Sequence, residues 1–176
     1  MKKKRIAIDM DDVLADTNGK FVDIYLAGEA PRYTVDELKT QSFHELLDEH
    51  EFNALLQHVY EPGFFRDIRV MPGAQEAIER LSERYEIFVA TAAMEFPNSF
   101  RDKYDWLAEH FPSIHWRNII FMGDKSVLNT DYLIDDLPRN LVTFQGEGLL
   151  FSAVHNRTNQ EFRRFDTWPE IERYLL

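Results

Sequence analysis

The sequence predicts an α/β fold, a parallel sheet flanked by helices with a small helical insertion after the first strand. Short apolar runs alternate with amphipathic stretches, the pattern of parallel strands joined by helical crossovers. Several runs lead straight into polar or acidic residues, as strands do at a ligand-bearing edge. Over residues 16–69 the strand pattern lapses and helical spacing takes its place.

The first strand is expected over residues 5–9, and later ones over 86–90, 118–121, 132–134 and 149–152. Ala74, Ala77, Ile78 and Leu81 recur at helical spacing behind Pro72-Gly73. Tyr104, Leu107, Ala108 and Phe111 make a second stripe, stopped by Pro112. A last helix is expected from Pro169 onward, with Ile171, Tyr174 and Leu175 facing the sheet. Gly146-Glu147-Gly148 is too short and too late for a phosphate loop, and reads as a turn before the last strand.

The insertion carries three helical patterns: Phe21, Ile24 and Tyr25; Phe43, Leu46 and Leu47; and Phe52, Leu55, Leu56 and Tyr60. About fifty helical residues exceed an ordinary crossover and read as a cap. Pro62-Gly63 and Pro72-Gly73 bracket the return as hinges. The expected division is a Rossmann-like core of residues 1–15 and 70–176, and a cap of residues 16–69.

Bulk properties narrow the function. The 176 residues suffice for one domain with a full core and a small insertion. A net charge of −11 and a pI of about 5.0 argue against nucleic-acid polymers, which demand basic faces. A small anion remains open, because a bound cation reverses the local field. With no cysteine, thiolate nucleophiles, disulfides and Cys-based zinc sites are excluded, which suits the cytoplasm. The basic start, Met1 to Arg5, precedes too short an apolar segment for a signal peptide or a span of roughly 20 residues. No membrane partner is therefore expected, and the Asn156-Arg157-Thr158 sequon carries no weight. Oligomeric state, monomer or homodimer, stays open.

The first strand runs into Asp9-Met10-Asp11-Asp12. Three acids within four residues repel unless a cation or protons intervene, although a solvated turn with an Asp cap explains many such clusters. Other strand ends supply what phosphoryl transfer needs: a hydroxyl at Thr91, a cation at Lys125 and a second acidic pair at Asp135-Asp136.

In that order these motifs resemble the haloacid dehalogenase-like superfamily, and the resemblance covers the whole chain, since the insertion sits where that superfamily places a cap. Within it, residues 9–16 (Asp-Met-Asp-Asp-Val-Leu-Ala-Asp), Pro62-Gly63-Phe64-Phe65, Pro72-Gly73-Ala74 and Leu133-Ile134-Asp135-Asp136 look most like the 5′(3′)-deoxyribonucleotidases. The resemblance implies a phosphatase that takes a small phosphorylated metabolite, a nucleoside monophosphate first of all.

It also implies roles. Asp9 is the nucleophile and forms an aspartyl-phosphate. Asp11 is the general acid and base, and must start protonated, above its reference pKa of about 3.9. Magnesium is the expected ion, held by Asp9 and Asp135 through carboxylates, by Asp11 through its carbonyl and by Asp136 through water. Thr91, Ala92 and Lys125 hold the phosphoryl group. Phe43, Phe64 and Phe65 are candidates for stacking on a base, or for filling the core. Lys103 is a candidate substrate contact, or a solvated helix lysine. Thr17 and His44 stand where mammalian relatives have aromatic residues, and Ala92-Ala93-Met94-Glu95 lacks their Ser-Pro and basic residue, so base and sugar preference stay open. A sugar phosphatase and a non-catalytic binding module are the alternatives. The six histidines are scattered without ligand spacing, and none is assigned.

Overall fold

The computed structural model describes residues 3–176; Met1 and Lys2, which begin the basic run, lie outside the described residues. Strand β1 (Lys4–Ile8) is followed by four short helices, α1 (Thr17–Leu26), α2 (Val35–Thr40), α3 (Phe43–Leu46) and α4 (Glu49–Leu56). Then come α5 (Ala74–Arg84), β2 (Tyr85–Thr91), α6 (Ser99–His110), β3 (Ile119–Phe121) and β4 (Tyr132–Asp135). Helix α7 (Pro138–Thr143), β5 (Glu147–Phe151), β6 (Arg163–Phe165) and α8 (Trp168–Leu175) complete the chain. The six strands pair in parallel in the order β3-β2-β1-β4-β5-β6.

β1 is central, and Ile6, Ala7 and Ile8 are fully buried, as a strand covered on both faces must be. Alternation divides them. Ile6 and Ile8 join Ile78, Leu81, Trp106, Trp168 and Ile171 in the larger core, while Ala7 joins Leu133, Leu141 and Leu150 on the opposite face. Trp168 also donates from Nε1 to the Val13 carbonyl, 2.9 Å away, tying the last helix beneath the acid-rich turn.

Four expectations change. A sixth strand, β6, lies beyond the predicted last one; its Arg-Arg-Phe sequence is too short and polar to read as a strand. Glu147 and Gly148 belong to β5 rather than to a turn. On α6 the buried face is Ser99, Lys103, Trp106 and Leu107, and Tyr104 and Ala108 are exposed, so the predicted stripe is turned by about a residue. On α8, Tyr174 likewise points outward, donating to Glu147.

The helices between β1 and α5 start by design of their sequence. Thr34 with Glu37, Ser42 with Glu45, and Asp48 with Glu51 each form a capping box, the glutamate returning to the cap backbone at 2.8, 2.8 and 3.2 Å. These helices close around Val22, Leu38, Phe43, Leu47 and Leu55, a cluster of their own. The two strands of chain that connect them to the sheet lie side by side. Asp16 N–H donates to the Arg69 carbonyl at 2.8 Å, and Met71 N–H donates to that of Leu14 at 2.7 Å.

Replacing Trp168 by alanine removes both a buried ring and its hydrogen bond. Urea unfolding of the variant is expected to show a loss of about 3–5 kcal/mol.

Candidate active site

Register brings the functional side chains to one edge. Ile8 lies level with Val89 of β2 and Ile134 of β4, and Asp9 N–H donates to the Ile134 carbonyl at 2.9 Å. Asp9, Thr91 and Asp135 therefore emerge together at the C-terminal ends of three adjacent strands. Lys125 enters from the 3-10 turn after β3 and is 3% exposed. Its Nζ lies 2.8 Å from Asp9 Oδ1 and 2.6 Å from Asp135 Oδ2. Asp135 also accepts from Leu137 N–H at 2.9 Å and from Asn140 Nδ2 at 3.0 Å, so this fully buried carboxylate is well supplied with donors.

A second lysine completes the arrangement. Lys103 Nζ pairs with Asp11 Oδ2 and donates to Thr91 Oγ1 at 3.0 Å, lying 4.8 Å from the Phe65 ring centroid. It is 1% exposed, which removes the alternative of a solvated helix lysine. Thr17 Oγ1 donates to the other Asp11 oxygen at 3.0 Å.

Burial sets the electrostatics. It pushes the Asp9 carboxyl well above the usual carboxylate range, with Lys125 opposing and the neighbouring acids adding. Asp12 is pushed up to about 8 by burial, with Asp136 adding and the Asn18 amide opposing. Burial also lowers Lys125, but Asp9 and Asp135 outweigh it and leave the ammonium at about 12. Asp11 is partly exposed and has Lys103 against it.

A cleft of about 860 Å³ opens over this cluster. Asp9, Asp11, Ala92, Lys103, Lys125 and Asp136 line its floor, and Phe21, Leu56, Val59, Phe65, Met94 and Phe96 form an apolar wall. Phe43 and Phe64 are not among its walls. Phe43 packs on Phe21 and Tyr25, and Phe64 on Phe21 and Phe65, so their ring faces are already occupied. Of the three expected aromatics, Phe65 alone reaches the cleft, joined there by Phe21 and Phe96.

The model of the family described as "5′ nucleotidase, deoxy (Pyrimidine), cytosolic type C protein" matches residues 3–176. The chain belongs to this family. A 5′(3′)-deoxyribonucleotidase of Bacillus subtilis (strain 168) is 36% identical over 174 residues, 99% of either chain. A Staphylococcus aureus (strain Mu50) protein, provisionally given the same name, is 43% identical over 176 residues, all of this chain and 97% of that one. Among solved structures, a magnesium-bound HAD-hydrolase of Bacillus subtilis aligns with a TM-score of 0.60 at 14% identity, covering 99% of both chains. The fold is that of the haloacid dehalogenase-like proteins, and family membership makes the chain an enzyme, a phosphatase of the 5′-nucleotidase type.

For this nucleotidase-family chain, sequence reasoning gave no role to two charged groups at the site, His155 and Asp12. His155 Nε2 lies 3.0 Å from Asp136 Oδ2, reached from a loop nineteen positions away. Asp12 takes the left-handed backbone, φ 56°, the sole non-glycine residue to do so among the described residues. Its Oδ1 accepts from Asn18 N–H at 2.7 Å. No spacing rule signals the first; an acid in a turn that asks for φ > 0 could have flagged the second.

Asp12 gives a pH test on the metal-free protein. The folded chain keeps its proton up to about pH 8, whereas the unfolded chain releases it near pH 4, so stability falls as pH rises between them. Asparagine tolerates the left-handed turn and cannot ionise. Asp12→Asn is expected to flatten that decline and to exceed the parent chain at alkaline pH by on the order of 1 kcal/mol in urea titrations.

Proposed function

We propose that the chain is a magnesium-dependent phosphomonoesterase of nucleoside monophosphates, deoxyribonucleotides first, working through an aspartyl-phosphate on Asp9. The observation that carries this is Lys125 clasped by Asp9 and Asp135 on the floor of an apolar-walled cleft, in a chain of this family. The wall supports a nucleotide over a sugar phosphate. Six apolar side chains offer a base a surface to rest on.

The donor set fits magnesium. Carboxylate oxygens of Asp9, Asp135 and Asp136 lie within 4.8 Å of one another, and hard oxygens are what that ion prefers. When bound there, the cation neutralises charge on the phosphoryl oxygens. The Asp11 carbonyl is the further donor that the family resemblance implies.

This chain's residues do the rest. The Thr91 hydroxyl, the Ala92 amide and the Lys125 ammonium hold the phosphoryl oxygens. An Asp9 oxygen bonds to phosphorus as the ester P–O bond breaks, and the departing alkoxide takes a proton from Asp11. Water then attacks phosphorus, Asp11 accepts its proton, and the Asp9–phosphorus bond breaks to release phosphate. Thr17 and Lys103 hold the two Asp11 oxygens on station for both transfers. Residues 16–69 act as the cap, contributing Phe21, Leu56, Val59 and Phe65 to the wall.

Phosphate release from a panel of deoxy- and ribonucleoside monophosphates and sugar phosphates, with magnesium or with a chelator, tests this. Deoxynucleotides are expected to be the best substrates, and chelation to abolish turnover. Asp9→Asn is expected to lower kcat by a factor of about 1,000 or more while keeping the native circular dichroism. Near-normal turnover by that variant would rule out covalent catalysis. Faster hydrolysis of sugar phosphates would overturn the substrate.

A further inference from the structure

Three consecutive residues after β5, His155, Asn156 and Arg157, face two ways. His155 grips Asp136 through Oδ2 at 3.0 Å. Asn156, 3% exposed, donates from Nδ2 to the Asp136 carbonyl at 2.6 Å and to the Phe151 carbonyl at 2.8 Å, while its own Oδ1 accepts from Arg164 at 2.7 Å. Arg157 reaches across to the helices of the insertion. Its Nη1 donates to the Thr40 carbonyl at the end of α2, and its Nη2 lies 2.8 Å from Glu45 Oε1 on α3. Glu45 is itself fixed by the α3 capping box, so Arg157 meets a positioned acceptor.

We propose that residues 155–157 are a positioning strap: Arg157 holds the cap closed over the cleft, and His155 and Asn156 transmit that closure to Asp136. The strap is stiff where it touches the core. Arg164 fastens it with bonds to the carbonyls of Asn156 and Asn159 at 2.6 and 2.8 Å as well as to the Asn156 side chain. It is weak where it touches the cap. Both the Arg157 and Glu45 side chains are more than two-fifths exposed, and an exposed pair shifts an equilibrium by no more than about fivefold, or about 1 kcal/mol. A grip of that strength closes the cap without locking it, which a site that must admit substrate and release product requires. Arginine suits the task because its fork takes two acceptors at once, which a lysine point charge does not. The proposal rests on the reading of Asp136 as part of the cation site.

Hydrogen exchange separates the strap from a passive loop. The amides of Gln41, Glu45, Leu46 and Leu47 are bonded within α2 and α3, so their protection reports on this corner of the cap. In the metal-free full chain, Arg157→Ala and Glu45→Gln are expected to speed exchange there by up to about fivefold. His155→Ala, at a residue that touches Asp136 rather than the cap, is expected to speed it as well. Calorimetry with magnesium alone should show several-fold weaker binding to Arg157→Ala, and Arg157→Lys should recover little of it. Unchanged exchange in Arg157→Ala would overturn the grip. Unchanged exchange in His155→Ala, or undiminished magnesium affinity in Arg157→Ala, would overturn the link to Asp136. If the parent chain bound no magnesium, the cation reading would fall, while the exchange comparison would still decide the strap.

Discussion

A lysine ammonium buried between two carboxylates organises this molecule. Lys125 has lost nearly all contact with water, and an isolated charge at such depth is prohibitively costly. Asp9 and Asp135 make it tolerable, and it in turn makes their burial tolerable. Each of the three sits at the tip of a different strand or just beyond one, so the sheet register and this charge balance enforce one another. Removing any one member leaves a buried charge without its counterpart, which is why such clusters are costly to alter piecemeal.

The same edge has a second, looser layer. Lys103 pairs with a partly exposed Asp11, and His155 with Asp136, each coming from an element outside the three central strands. The deep layer supplies rigidity. The outer one is partly open to solvent at Asp11 and His155, which leaves it adjustable.

Much of this edge was legible in the chain. Asp9, Thr91, Lys125 and Asp135 each follow a short apolar run, the mark of a parallel strand covered on both faces. What stayed hidden depends on tertiary partners. β6 is three residues, two of them arginine, and it pairs because Leu149 and Phe151 offer it a neighbour. Lys103 lies on the buried face of α6 against every compositional expectation, since its counter-charge comes from the turn after β1, 92 positions earlier. His155 is equally invisible, because the loop that carries it gains meaning only beside Asp136. The capping boxes also went unread, although they set the starts of α2, α3 and α4.

The paired crossings at residues 14–16 and 69–71 have an evolutionary corollary. Because the chain leaves and re-enters through neighbouring hydrogen-bonded positions, the sheet experiences the excursion as little more than a tight turn. Loop-closure entropy grows slowly with length, so excursions of very different size can be spliced between those two points at modest expense. The sheet edge where the acids gather can thus stay constant while natural selection tries out excursions of different size and content beside it.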